Sequence, residues 1–238
     1  MLFFYIRHGD PIYVPNSLTP LGERQAEAIA KRLAIYGLDK IYSSPSTRAV
    51  MTARPTCELL KKEAELLDFT DEAITWANLA VSNERGEKNW LFQDERYIRL
   101  LSDPSMISMG QKWFDHPDIK EYGLEKEIGR IYDGTDKLLA SLGFEHDRYT
   151  GRYNITEQKY DRVALFAHQG FGIAFLSCLT DIPYPMFFAH FDISHTGMTV
   201  IEFKDEGGYS IPKICTLSND SHLYREGLPL NYNNCIKF

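Results

Sequence analysis

The chain begins with an apolar run that ends abruptly in charge, since Leu2–Ile6 is followed by Arg7, His8 and Gly9. Consecutive apolar and aromatic residues with a β-branched end are typical of a buried strand. The carboxyl end of such a strand, in a parallel sheet, is where α/β proteins bind ligands. The feature predicts either a functional site at Arg7 and His8 or a strand that ends in polar residues by chance.

Apolar strands alternate with helices along much of the chain. Helices are predicted over "TPLGERQAEAIAKRLAIYG", "PSTRAVMTARPTCELLKK" and "EKEIGRIYDGTDKLLASLG", and strands over "DKIYSS", "AELLDFT", "MTVIEFK" and "YSIPKICTLS". This alternation favours an α/β fold, a helix-flanked and mainly parallel sheet. Residues 71–122 break the pattern and contain every tryptophan, so they are predicted to form an inserted, mostly helical cap within a single domain over 1–238.

Composition restricts the class of protein. A net charge of −7 argues against a general partner of nucleic acid or of an anionic membrane. The cysteines are widely spaced without a CxxC pair, which predicts reduced thiols and no structural zinc. Met1 leads straight into the first strand, and no apolar stretch approaches the ~20 residues of a membrane span. These features predict a cytoplasmic protein; the oligomeric state stays open.

A second segment repeats the opening pattern. In "VALFAHQGFG" an apolar strand ends at His168, and Gln169 and Gly170 lead into a helix whose N–H groups can face an anion. Arg48 lies in the first turn of a helix that follows the "DKIYSS" strand. Each signal alone is common in structural roles. Together, Arg7, His8, Arg48 and His168 on one edge of the sheet predict a phosphate site, because guanidinium groups offer paired donors to phosphate oxygens.

The motifs resemble those of a known family. "RHG", "LTPLGERQA", "SSPSTRAVMTA", "AHQG" and "SHTGMTVIEF" are together similar to the histidine phosphatase superfamily, which has the phosphoglycerate mutase-like fold. The resemblance covers roughly residues 1–60 and 160–203. It implies that His8 attacks phosphorus and carries a phosphohistidine. It also implies that Arg7, Arg48 and His168 bind the phosphoryl oxygens, with no metal and no cofactor.

Further residues are candidates for the same pocket. Gly9 would leave room for the phosphate beside the nucleophile, and Gln169 belongs to the predicted anion-binding turn. Asn16 follows the "RHG" motif later than the family's asparagine does, so it lines the pocket or forms a turn. His195 lies just before a late strand, where it reaches the site or remains in a loop.

The general acid has no obvious counterpart in the sequence. The family takes this proton from a glutamate or aspartate soon after the third strand. Glu84 is the first candidate and Glu87 the next, whereas Asn78 stands near the expected position and hints at a lost acid. We therefore expect a metal-independent phosphomonoester hydrolase acting on a small phosphorylated substrate. The alternatives are a phosphoglycerate-mutase-type phosphotransferase and a non-catalytic protein that binds a phosphorylated ligand.

Overall fold

A computed structural model describes residues 1–82, 86–120 and 122–230, with the side chain of residue 92 excepted. Its strands are β1 (Leu2–Arg7), β2 (Pro11–Ile12), β3 (Ser17–Leu18), β4 (Lys40–Ser43), β5 (Ala64–Leu66), β6 (Ala80–Ser82), β7 (Lys88–Trp90), β8 (Phe144–Asp147), β9 (Arg152–Ile155), β10 (Arg162–Ala167), β11 (Met198–Glu202), β12 (Tyr209–Ser210) and β13 (Lys213–Asn219). Its helices are α1 (Pro20–Tyr36), α2 (Thr47–Leu60), α3 (Glu72–Leu79), α4 (Glu95–Leu101), α5 (Pro104–Ser108), α6 (Pro117–Lys120), α7 (Leu124–Ser141), α8 (Gln169–Thr180), α9 (Tyr184–His190) and α10 (Ser221–Arg225).

A six-stranded sheet in the order β13-β11-β1-β10-β4-β5 forms the centre of the fold. β1, β10, β4 and β5 run parallel, and β11 and β13 add an antiparallel edge. The predicted helix-flanked, mainly parallel sheet is confirmed. Because β1 and β10 are neighbours in register, with Arg7 opposite Ala167, the segments that follow them leave the sheet side by side.

Alternate residues of the central strands enter two different cores, as the two-residue period of a strand requires. Phe4 and Ile6 pack with Ile29 and Leu33 of α1. Phe3 and Tyr5 face the other side, where aromatic residues of α8 such as Phe175 lie 5.5 and 5.4 Å from their rings. The strands are therefore buried on both faces, which leaves their carboxyl ends as the place for a site.

Residues 72–120 are mostly short helices, with β6 and β7 paired as a small antiparallel ribbon. Trp113 is only 2 % exposed and packs against Tyr184 of α9 with ring centroids 5.5 Å apart. Whether this segment is an insert in a single domain stays a prediction. Across the described ranges, no helix has the length and apolar character that a membrane crossing needs.

The structure contains a second sheet, β12-β9-β8, which was not predicted. A buried histidine of this sheet connects it to the helices through hydrogen bonds. His146 of β8 places Nδ1 2.9 Å from Asp136 and Nε2 3.0 Å from Asp181. Burial alone would lower the pKa of His146, but the hydrogen bonds to both carboxylates raise it to about 9. Its side chain is 1 % exposed, so the charged ring is held inside the protein.

We expect this histidine to make stability depend on pH. The folded pKa lies above the ordinary value, so the stabilisation is complete below about 6.5 and is lost as the pH rises through about 9. The loss is on the order of 2 kcal/mol in the free energy of unfolding. Urea unfolding across this pH range measures the loss. The decrease in the free energy of unfolding with rising pH should be absent in His146→Gln. The same decrease in the variant as in the wild type would contradict this assignment.

Candidate active site

His8 and His168 lie side by side where β1 and β10 end. The backbone N–H of His8 donates to the carbonyl of Ala167 at 2.9 Å, which continues the pairing of the two strands. The ring centroids of the two histidines are 5.2 Å apart, and both side chains are buried. In the structure the two strands are therefore neighbours and bring the two imidazoles together, as the sequence predicts.

The contacts of His8 define which ring nitrogen is free to react. Nδ1 lies 2.7 Å from the carbonyl oxygen of Gly9, and because a carbonyl only accepts, Nδ1 must carry the proton. The lone pair is then on Nε2. Burial, followed by the charges of His168, Arg7 and Arg48, lowers the pKa of His8 well below its ordinary value. The ring is thus neutral and nucleophilic near neutral pH.

Two guanidinium groups flank the histidines. Arg7 donates to the carbonyl of Ile193 at 2.6 Å and lies 2.9 Å from Nε2 of His195. Arg48, in the first turn of α2, donates from Nη1 to Oδ1 of Asn16 at 3.2 Å. Both arginines are less than a tenth exposed. Two buried positive charges favour an anion at this point.

A carboxylate that sequence reasoning missed occupies the centre of this cluster. Glu72 accepts from Nη2 of Arg48 at 2.7 Å and from the backbone N–H of Gly170, at the start of α8, at 3.1 Å. Its Oε2 also lies 3.3 Å from Nδ1 of His168. Burial raises the pKa of Glu72, and the charge of Arg48 opposes that shift. The group combines an elevated pKa with contact to the predicted phosphate ligands.

His168 turns a proton donor toward the same point. Its Nε2 lies 2.8 Å from Oγ of Ser44, a hydroxyl that can donate as well as accept, whereas Nδ1 faces the Glu72 carboxylate, which only accepts, at 3.3 Å. The proton of the neutral ring is then on Nδ1, a buried nitrogen without a hydrogen-bond partner among the described residues. Burial, with Arg48 and Arg7, lowers the pKa of His168 well below its ordinary value. Nδ1–H is thus available to an anion that replaces Glu72.

Of the other predicted site residues, Asn16 and His195 lie beside Arg48 and His8, whereas Gln169 contacts Asp192. Asn16 contacts Arg48 and donates to Oγ of Ser46 at 3.0 Å, and the ring centroid of His195 lies 5.7 Å from that of His8. Gln169, the first residue of α8, donates its amide to Asp192.

Of the two acids predicted from the sequence, the structure describes one. Glu84 lies outside the described residues, and Glu87 is exposed. The amide of Asn78 donates to Glu127 of α7 at 2.9 Å rather than contacting the histidines. Glu72 stands shortly after β5, as the family pattern requires, in the segment "DFTDEAITW". Its N-terminal position in a helix capped by Asp71 was the signal available in the sequence.

Gly9 has a packing reason to be glycine in addition to the phosphate-binding role predicted for it. A Cβ at this position would lie 2.6 Å from the backbone oxygen of Gly22 in α1, so the loop after β1 and the first turn of α1 touch backbone to backbone. A Cβ on Gly22 would likewise meet the carbonyl of Asp10. This contact does not test whether Gly9 leaves room for phosphate. A phosphate-binding role of Gly9 therefore stays a prediction.

This close approach gives a prediction for Gly22→Ala. The added methyl group cannot fit against the backbone of Asp10, so the loop that carries His8 must shift. We expect a loss of stability of about 1–3 kcal/mol, as for overpacked sites. Thermal unfolding measures it, and Gly129→Ala, where a Cβ would meet nothing within 4 Å, is the control. Equal stability of the two variants would contradict the packing described here.

The spacing of the site also matches that of metal ligands. One ligand atom each of His8, Glu72 and His168 lies within 4.8 Å of the others. However, Arg48 donates directly to Glu72, and Arg7 adds a second positive charge beside the histidines. These charges repel a divalent cation and attract a phosphate dianion. The donor set thus fits an anion better than a metal ion.

A cavity of about 570 Å³ borders this cluster. Arg48 and Glu72 stand in its wall. The rest of the lining comes from the loop after β2, the start of α2, α3, β7 and the turn that follows it: Tyr13, Asn16, Ser46, Asp71, Ala73, Trp76, Asn89, Trp90 and Gln93. The volume falls within the usual range for small-molecule sites.

Comparisons with known proteins give a family model and several solved structures that this chain resembles. Residues 5–97 match the model of the histidine phosphatase superfamily (branch 1). Sequence comparison with curated proteins gives no match. Among solved structures, phosphoserine phosphatase from Entamoeba histolytica, in complex with 3-phosphoglyceric acid, has a TM-score of 0.59 and 20% identity over 93% of this chain and 98% of its own.

Two further structures are similar. A mycobacterial glucosyl-3-phosphoglycerate phosphatase with inorganic phosphate has a TM-score of 0.59 and 17% identity, covering 93% of this chain and 98% of that one. The alpha-ribazole phosphatase of Shigella flexneri has a TM-score of 0.57 and 17% identity, covering 92% and 97%. The resemblance found in the motifs is confirmed over residues 5–97, which match the family model, and the similar solved structures show that the chain has their fold.

Proposed function

We propose that the protein is a phosphomonoester hydrolase that works through a phosphohistidine on His8 and needs no metal ion. The observation that carries the proposal is a neutral His8 whose proton is held on Nδ1 by Gly9, which leaves Nε2 as nucleophile among anion-binding groups. Arg7, Arg48 and His168 are the proposed ligands of the phosphoryl oxygens. Glu72 replaces Glu84 and Glu87 as the proposed acid.

The first step transfers the phosphoryl group to His8. The substrate phosphate takes the place of the Glu72 carboxylate at Arg48, His168 and the Gly170 N–H. Nε2 of His8 forms a bond to phosphorus while the bond to the ester oxygen breaks. Glu72 takes up a proton from solvent when the phosphate displaces it, because burial already raises its pKa, and gives this proton to the leaving oxygen.

The second step returns the enzyme to its starting state. Water takes the place of the released alcohol, and the Glu72 carboxylate accepts a proton from it. The water oxygen forms a bond to phosphorus as the phosphorus–nitrogen bond to His8 breaks. Inorganic phosphate leaves, His8 is neutral again, and Glu72 releases the proton gained from water to solvent as it pairs with Arg48 once more. The cycle consumes one ester and one water and yields one alcohol and one phosphate.

The comparisons support a small phosphorylated substrate. The similar structures include phosphatases whose names specify phosphoserine, glucosyl-3-phosphoglycerate and alpha-ribazole compounds. The hypothesis of a binding protein without an acid was motivated by Asn78, and the presence of Glu72 beside His168 removes that motivation. We further propose a cytoplasmic location, in line with the free thiols of Cys57, Cys178 and Cys215 in the described residues.

Hydrolysis of 4-nitrophenyl phosphate in excess EDTA tests the proposed function. We expect EDTA to leave turnover unchanged, because fixed positive charges on Arg7 and Arg48 do the work of a metal ion. Release of inorganic phosphate should equal release of nitrophenol, whereas a phosphotransferase would give less phosphate when an alcohol acceptor is added. Turnover that needs an added metal ion, or no turnover by folded protein, would contradict the proposal.

A further inference from the structure

The outer part of the cavity is walled by aromatic rings. Trp76 of α3 and Trp90 of β7 pack edge to face, with centroids 4.7 Å apart and planes at 78°. Trp113 belongs to the core, whereas Trp76 and Trp90 are only partly buried and line the cavity.

This aromatic wall begins beside the proposed phosphate position. A Cβ on Gly170, at the start of α8, would lie 3.2 Å from the six-membered ring of Trp90 and 3.3 Å from Oε1 of Glu72. The carboxyl that is the proposed proton donor and the indole therefore contact the same backbone position. The group attached to a bound phosphate must pass along Trp90 as it leaves the site.

The charges of the described lining residues disfavour a second anionic group on the substrate. Among the described lining residues, Arg48 carries the only positive charge, and it is committed to Glu72 or phosphate and to Asn16. Asp71 adds a carboxylate, which caps α3 by accepting the N–H of Ala73 at 3.0 Å. A carboxylate on the leaving group would face Asp71 without a partner of its own.

The rings do not enclose a cation either. A cage for a quaternary ammonium group needs separated aromatic faces around the charge. Trp76 and Trp90 instead pack directly on each other. Tyr13 lies over the guanidinium of Arg48, 5.5 Å from its ring centroid, so its face is already occupied. What the wall offers is apolar ring surface, with the amides of Asn89 and Gln93 at its edge.

We propose that the substrate is a phosphate monoester of an uncharged, planar aromatic alcohol, whose ring packs against Trp76 and Trp90 while its phosphate lies at His8. This inference rests on the proposed function for the position of the phosphate. Aromatic pairs are worth more than their buried area alone. A planar ring is therefore bound about five- to tenfold more tightly than a puckered ring of the same size.

Calorimetric binding of non-hydrolysable phosphonates tests this class of substrate. Benzylphosphonate and cyclohexylmethylphosphonate differ in ring planarity at similar size, and 3-phosphonopropanoate and phosphonocholine add a negative or a positive charge. We expect benzylphosphonate to bind tightest. Each affinity is divided by that for inorganic phosphate. Equal affinity for the two ring compounds, or a preference for either charged compound, would overturn the inference.

Variants of the two tryptophans test whether the preference for a planar ring arises at the aromatic wall. Trp76→Leu and Trp90→Leu should reduce the preference for benzylphosphonate over cyclohexylmethylphosphonate toward one, whereas Tyr149→Leu, an exposed aromatic residue outside the cavity lining, should keep it. An unchanged preference in both tryptophan variants would overturn the assignment of the wall. Hydrolysis of benzyl phosphate is measured separately. Selective binding without hydrolysis would refute the proposed enzyme but leave the ligand class standing.

Discussion

Replacing His8 by alanine is expected to abolish hydrolysis, lowering kcat by about 10³-fold or more. The ring supplies the atom that bonds to phosphorus, and no second nucleophile takes its place. His168 turns Nε2 to Ser44 and a protonated Nδ1 toward Glu72, while Nε2 of His195 lies against Arg7. Initial rates with 4-nitrophenyl phosphate measure the loss.

Controls for phosphate binding and for folding distinguish a loss of chemistry from a loss of binding or of structure. The Arg7 and Arg48 guanidinium groups remain in His8→Ala, so inorganic phosphate should still bind when measured by calorimetry. His190→Ala removes an exposed histidine of α9 and should retain full activity. Circular dichroism checks that both variants are folded. If His8→Ala kept more than about a tenth of the wild-type kcat, His8 would not be the nucleophile.

Glu72→Gln is expected to separate substrates by their leaving groups. Loss of a general acid costs about 10²- to 10⁴-fold with alkyl phosphates, whose alkoxide needs a proton. With 4-nitrophenyl phosphate the transfer to His8 should be nearly unaffected, because nitrophenolate leaves without one. Hydrolysis of the phosphohistidine should slow for both substrates, since the amide cannot accept a proton from water. Pre-steady-state bursts of nitrophenol measure the two steps separately.

The same variant should bind inorganic phosphate more tightly. In the protein without phosphate, the Glu72 carboxylate holds Arg48 and the Gly170 N–H, so it competes with the anion. Because burial raises the pKa of Glu72, lowering the pH through that pKa neutralises the competitor and strengthens phosphate binding in the wild type. Ionisation of phosphate itself, with a pKa near 6, enters both proteins equally. The difference between the two pH profiles therefore reports Glu72.

Matched carboxylate variants decide among the candidate acids. Glu84→Gln and Glu87→Gln change the two glutamates that the sequence suggested. Both should retain leaving-group dependence like the wild type and unchanged phosphate affinity. A loss with alkyl phosphates in Glu84→Gln, together with wild-type behaviour of Glu72→Gln, would show that the acid comes from that segment instead.

The sheet edge was predictable because its information is local. An apolar strand that ends in histidine and glycine occurs at Ile6 and again at Ala167, and the parallel arrangement follows from the intervening helices. The proposed phosphate ligands were predicted in the same way. The tautomer of His8, the proposed nucleophile, was not predicted, because it depends on the backbone turn at Gly9 that brings a carbonyl to Nδ1.

Glu72 was missed because long-range contacts define its environment. Counting from β5 along an irregular segment pointed to Asn78, which instead faces α7. The contacts that place Glu72 in the site come from the N–H of Gly170, which is 98 residues away along the chain, and from Arg48. Trp76 and Trp90 were unassigned for the same reason, since their spacing alone does not distinguish a core from a cavity wall. The sheet of β8, β9 and β12 also joins distant segments.

Trapping the covalent intermediate tests the central claim most directly. Folded wild-type protein and Glu72→Gln are mixed with 4-nitrophenyl phosphate, quenched in alkali within the burst, digested and mapped by mass spectrometry. The account predicts an acid-labile, alkali-stable phosphate on Nε2 of His8, accumulating further in Glu72→Gln. Turnover without a phosphorylated protein, or phosphate on a residue other than His8, would contradict it.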